Sequence, residues 1–169
     1  VKEAIFSMLQ FELEGRRVLD LFGGSGQLAL EALSRGASKA TIIDESRAAI
    51  DIIIENAKKT KLYDRCRISS CSYNTFLKGF SDSDKFNIIF LDPPYNTSLM
   101  HSSLQLICEC DVAASEAIIV CETDTQPDQK KLNEKKNPEI MEKAVLKSVF
   151  DSDEDLFAKY KINKSVVYG

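Results

Sequence analysis

A doubly wound α/β domain is the fold class that these 169 residues predict. Three observations carry that prediction. The period of the apolar residues switches repeatedly between helical and extended, the extended segments are apolar throughout, and the first of them runs into a glycine-rich turn that opens a helix. Val1, Ile5, Met8 and Leu9 share one face of a first helix. Residues 17–22 (RVLDLF) read as a short buried strand, and residues 28–34 as a helix that stops at Gly36. The alternation then repeats, with strands at 39–43, 65–69, 86–91 and 117–121 separated by helices at 47–60, 74–80 and 98–108. Strands that are apolar on both faces and joined by helices make a mostly parallel sheet with helices on both sides. Residues 126–138 are polar and hold two of the four prolines, as a loop would. Beyond them, residues 144–150 and 162–168 read as an antiparallel C-terminal hairpin closing the sheet edge, on either side of the acidic run 151–155.

Composition sets limits on what such a domain can be. A chain of 169 residues with 44% hydrophobic content can bury one full core and is too short for two ordinary domains, so residues 1–169 are expected to form a single domain. No apolar stretch approaches the roughly 20 residues of a bilayer span, and the opening VKEAIFSMLQ lacks the layout of a signal peptide, so a cytoplasmic protein is expected. The five cysteines show no CxxC spacing and His101 is the one histidine, which suggests neither a metal site nor a disulfide framework. A net charge of −4 argues against a surface that grips nucleic acid all over. Lysines do gather at Lys58, Lys59 and Lys61 and again at Lys130, Lys131, Lys135 and Lys136, but runs of this kind are more often solvated faces than binding patches.

In doubly wound sheets ligands bind outside the carboxyl ends of the strands. The first strand delivers DLFGGSG (20–26) there, a turn whose missing side chains let a ligand approach the backbone. Gly24, Gly26 and Ala29 match the G-x-G-x-x-G/A spacing of nucleotide sites, a weak signal by itself. Asp44 strengthens it, because it ends the second strand 18 positions after Gly26, where a carboxylate can accept both hydrogen bonds of a ribose diol. These residues specify an adenosine-type cofactor and leave NAD and S-adenosyl-L-methionine both open. Asp20 discriminates between them: a carboxylate at the end of the first strand repels a pyrophosphate and suits the ammonium of a methionine moiety, unless it serves only to cap the turn.

The fourth strand brings LDPPY (91–95) to the same edge. As plain structure, Asp-Pro-Pro is an effective strand stop. As chemistry, it suits a methyl acceptor that is an exocyclic amine on a nucleobase, whose lone pair is delocalised into the ring. Asp92 and the Pro93 carbonyl can each accept one amine N–H, Pro94 helps to hold that carbonyl, and Tyr95 offers a flat face for a flipped-out base.

Together VLDLFGGSG (18–26), ATIIDESRAA (40–49) and FLDPPY (90–95) resemble the class I S-adenosylmethionine-dependent methyltransferases, with their Rossmann-like fold. Within that class the chain is similar to the RsmD-like family, which methylates the guanine N2 amine of small-subunit ribosomal RNA. The opening VKEAIFSML also resembles that family's first helix, so the resemblance covers about residues 1–124. It implies S-adenosyl-L-methionine as cofactor and ribosomal RNA or an assembling small subunit as partner; action as a monomer is expected. By position it places Asp20, Phe22, Gly23, Gly24 and Gly26 along the methionine side of the cofactor and Asp44 on the ribose. Asp92, Pro93, Pro94 and Tyr95 would hold the target base. Two departures stand out: the basic Gly/Arg-rich segment that usually precedes the first helix is absent, and Ser72 stands where an Asp or Asn often meets the adenine amine. A DNA amino-methyltransferase would use the same D-P-P-Y chemistry, although only 65 residues separate Gly26 from Asp92, leaving little room for a DNA-reading insertion. A non-catalytic nucleotide-binding module is the third reading.

Overall fold

A computed structural model of the chain describes residues 2–81, 84–94 and 98–122. Helix α1 (Lys2–Met8) precedes strand β1 (Arg17–Asp20), followed by α2 (Gln27–Ser34), β2 (Lys39–Asp44) and α3 (Arg47–Lys59). A short 3₁₀ turn (Tyr63–Arg65) leads into β3 (Cys66–Ser70), α4 (Tyr73–Lys78), β4 (Phe86–Leu91), α5 (Leu99–Glu109) and β5 (Ala113–Cys121). The sheet has five strands in the order β3-β2-β1-β4-β5, and all four pairings are parallel. Strand order therefore reverses between β1 and β4, which opens a crevice at their carboxyl ends.

Alternation along the strands explains why they are apolar on both faces. Val18, Ala40, Ile42, Ile88 and Phe90 lie in one cluster with Phe6, Leu33 and Ile53 from α1, α2 and α3. The intervening Leu19, Ile43, Ile89 and Leu91 are buried as well, as are Leu77 of α4 and Leu104 and Ile107 of α5. Each strand thus needs a helix layer on either side. Serines cap the helices that leave β2 and β3: Ser46 accepts a hydrogen bond from the Ala49 N–H at 3.3 Å and Ser72 from the Thr75 N–H at 3.1 Å. Helix α2 has no such side-chain cap, because its N-cap is Gly26 in the left-handed region, φ 77°.

Two strands differ from expectation by more than one residue. β1 stops at Asp20 rather than residue 22, since Leu21 keeps one bond to the Phe90 carbonyl at 3.3 Å and the chain then turns into the glycine loop. β5 starts at Ala113, four residues before the expected residue 117. Its first half contains Glu116 at φ 59° and a register shift against β4 between Phe86 and Ile88, a bulge whose small and polar residues hide the strand's periodicity. The expected hairpin at 144–150 and 162–168, the loop at 126–138 and the second lysine cluster lie outside the described residues. Among the described residues, no helix is long and apolar enough to cross a membrane.

Candidate active site

The reversal point gathers the predicted residues by register. Asp20 pairs with Phe90 across β1 and β4, so Asp92 follows two residues further along the neighbouring strand. Asp20, Phe22, Gly23, Gly24 and Asp92 line one pocket of about 270 Å³. That volume is slightly below the 300–1,000 Å³ typical of a site enclosing a whole drug-sized ligand.

Glycine is required in the loop for two separate reasons. A Cβ on Gly23 would lie 2.5 Å from Cγ2 of the buried Ile42 and 3.0 Å from Cδ1 of Ile53, while the Gly23 N–H is bonded to the Ile43 carbonyl at 2.8 Å. Gly24 has φ 55°, and a Cβ there would meet nothing nearer than the Phe22 carbonyl at 4.0 Å, so its backbone is open to an approaching ligand. Gly23→Ala is expected to lower stability by about 1–3 kcal/mol through overpacking against the sheet. Urea denaturation measures this, and an unchanged midpoint would show that Ile42 and Ile53 can move aside.

The pocket's floor is acidic. Asp20 is 1% exposed, and its pKa is raised to about 7: burial is the main cause, the Phe22 N–H opposes it, and the nearby carboxylates of Asp92 and Asp44 add to it. Burial also holds Asp92 above the ordinary carboxylate range. Glu122, immediately after β5, lines the same pocket and is raised by burial and then by Asp92. Lys2 stands in the same wall but pairs with Glu31 at 3.8 Å. Carboxylates in a half-closed pocket favour a cationic ligand, which would relieve both their desolvation and their mutual repulsion. Among the described residues no group of three or more His, Cys, Asp or Glu side chains is placed to hold a metal ion.

Asp44 and Ser72 lie outside this pocket, further along the sheet edge. Asp44 accepts the Gly24 N–H on Oδ2 at 2.9 Å and the Ser46 N–H on Oδ1 at 2.8 Å, so it ties the glycine loop to the start of α3. Each oxygen keeps a second lone pair for a ligand hydroxyl. The Cys71 N–H bonds the Asp44 carbonyl at 3.1 Å, which sets the end of β3 beside the end of β2. Ser72 spends its hydroxyl on capping α4 and donates to Thr75 Oγ1 at 3.0 Å. Its neighbour Tyr73 stacks on Phe22 of the pocket wall with ring centroids 5.6 Å apart, joining the two groups of residues. Gly26 turns the chain into α2, Pro93 is buried and Pro94 exposed. Tyr95, expected to stack on the base, lies outside the described residues.

Sequence reasoning missed Glu122 and Lys2. Glu122 precedes a polar stretch that reads as loop; only applying the strand-end rule to β5 as well would have exposed it.

The sheet order and the placement of the pocket define a Rossmann-like methyltransferase fold. A family model described as "Conserved hypothetical protein 95" matches residues 1–148, and the chain belongs to that family, the RsmD-like one that its motifs resemble. Two relatives called "Ribosomal RNA small subunit methyltransferase D" are similar to it. The one from Haemophilus influenzae is 32% identical over 73% of this chain and 65% of its own length, and the one from Escherichia coli 33% identical over 75% and 62%. The chain thus spans slightly less than two thirds of their length. A solved structure of a "conserved hypothetical protein" from Streptococcus pyogenes superposes with a TM-score of 0.69 at 35% identity, covering 75% of this chain and 78% of that one.

Proposed function

We propose that the protein transfers a methyl group from S-adenosyl-L-methionine to the exocyclic N2 amine of a guanine in small-subunit ribosomal RNA. The observation that carries this reading is the meeting of Asp20 and Asp92 in one pocket beneath the glycine loop, at the point where strand order reverses. The names of the two relatives support ribosomal RNA as the substrate.

The residues present fit the cofactor. Asp20 suits an ammonium, the bare backbone at Gly24 leaves room for close approach, and Asp44 keeps lone pairs for a ribose diol. When bound, S-adenosylmethionine supplies an electrophilic methyl group on a cationic sulfur. The chain's own contribution is to present the amine. Asp92 accepts one N–H and the Pro93 carbonyl the other, which favours a pyramidal nitrogen with its lone pair localised for attack. As the N–C bond forms, positive charge grows on that nitrogen beside the Asp92 carboxylate, which is placed to take up the proton the nitrogen then sheds. Asp92's raised pKa makes it a better base than an ordinary aspartate.

Ribosomal RNA from cells lacking the protein, digested and analysed by mass spectrometry, should lack one methylguanosine that purified protein and S-adenosylmethionine restore in vitro. An unchanged set of methylated nucleosides would exclude the proposal. Asp44→Ala is expected to weaken S-adenosylmethionine binding by about 1–3 kcal/mol, because the diol loses a charged acceptor and the Gly24 N–H loses its anchor. Titration calorimetry reads this directly, and equal affinity would remove Asp44 from the site.

A further inference from the structure

We propose that Glu122 is the residue that selects guanine, its carboxylate accepting the base's N1–H while Asp92 receives the adjacent amine. This deepens the proposed function and rests on it.

The placement comes from the sheet. Leu91 of β4 pairs with Cys121 of β5, and the Glu122 N–H continues that ladder to the Leu91 carbonyl at 2.9 Å. Asp92 and Glu122 therefore leave neighbouring parallel strands side by side, about 4.8 Å apart at the backbone as paired strands are. Both side chains border the same pocket. A base amine that meets Asp92 consequently presents the next position of its ring edge near Glu122.

The three bases with exocyclic amines differ at that next position. Guanine carries a donor, N1–H, beside its N2 amine. Adenine has the N1 lone pair beside its N6 amine, and cytosine the N3 lone pair beside its N4 amine. An ionised carboxylate can only accept. Two carboxylates in a row thus match the donor–donor edge of guanine and set a charge against a lone pair for either other base. A site whose second acceptor were an amide or a serine could turn to suit both kinds of edge. A carboxylate selects by repulsion as well as by attraction.

2-Aminopurine keeps the C2 amine and replaces N1–H with a lone pair; it also lacks O6, so the N1–H contribution is read from the change in preference between wild type and the Glu122 variants, in which the O6 difference is constant. The test uses the ribosomal RNA fragment around the methylguanosine located by mass spectrometry, synthesised with guanine or 2-aminopurine at that position. Methyl transfer by the full chain is followed with tritiated S-adenosylmethionine. The wild type should favour guanine by at least about 10²-fold, since a site built around an N–H strongly rejects the analogue lacking it. Glu122→Gln, whose amide can turn an N–H toward the lone pair, should bring the two rates to within about tenfold. Glu122→Ala should also lose most of the preference; rates are compared at saturating S-adenosylmethionine, so that any change in cofactor affinity from the lost carboxylate cancels in the ratio. A preference that survives in both variants overturns the inference. So does a fall in cofactor affinity at constant preference, which would place Glu122 on the cofactor instead. If the wild type transfers nothing to the guanine fragment, the proposed function itself fails.

Discussion

Asp92→Ala is expected to lower methyl transfer to undermethylated small ribosomal subunits by on the order of 10²–10³ while S-adenosylmethionine binding stays close to wild type. Asp92 follows β4 rather than belonging to it, and Pro93 and Pro94 still end the strand when alanine precedes them. Alanine also adopts the extended conformation required before proline, so the fold has no reason to suffer. What would disappear is the acceptor that, in the proposed mechanism, orients the amine and balances the charge growing on nitrogen. Removing that carboxylate should also ease the burden on Asp20, whose pKa Asp92 helps to raise. Tritiated transfer paired with a thermal-shift test for the cofactor separates the effects. A variant that folds, binds S-adenosylmethionine and transfers at near wild-type rate would reduce LDPPY to a strand stop.

The second large effect is expected at Asp20 and depends on pH. Its folded pKa of about 7 lies above the ordinary value of 3.8, so between those values the folded chain holds a proton that the unfolded chain has released. Stability from this group is therefore complete below about pH 4 and is lost as pH rises toward 7, with a slope of up to about 1.4 kcal/mol per pH unit. Binding a cation runs the opposite way. Below pH 7 an ammonium must displace the proton, so S-adenosylmethionine affinity should rise up to about tenfold per pH unit between pH 5.5 and 7 and then level off. Asp20→Asn, nearly the same size but unable to ionise, should bind weakly and show no such rise. Parallel pH profiles for wild type and variant, measured by calorimetry, would mean that Asp20 serves the turn and not the ligand.

Much of this architecture was legible because parallel strands buried on both faces leave unbroken apolar runs. β2 and β4 matched expectation to within a residue for that reason. β5 was half hidden, since the bulge at Glu116 breaks the run that marks a strand. Among the candidate residues, Asp20, Asp44 and Asp92 could be singled out because each stands at the carboxyl end of a strand beside a turn with its own chemical signature. Glu122 has no such signature, and its place beside Asp92 follows from the pairing of Leu91 with Cys121, a long-range fact absent from any local window. The engagement of Asp44 with Gly24 and Ser46 was likewise invisible, because a motif gives spacing and not hydrogen-bond partners.

The strand order also has a consequence for how the chain is made. β1 lies between β2 and β4, so during synthesis its first flank is covered once residues 39–44 are available, whereas its second remains a bare hydrogen-bonding edge until residues 86–91 emerge. The glycine loop and Asp44 can reach their final places in that half-built sheet; Asp92 and Glu122 cannot. Until β4 is added, the bare edge of β1 is open to pairing with the wrong strand, so the strand order leaves the middle of the sheet exposed while 41 residues, 45–85, are still to be made.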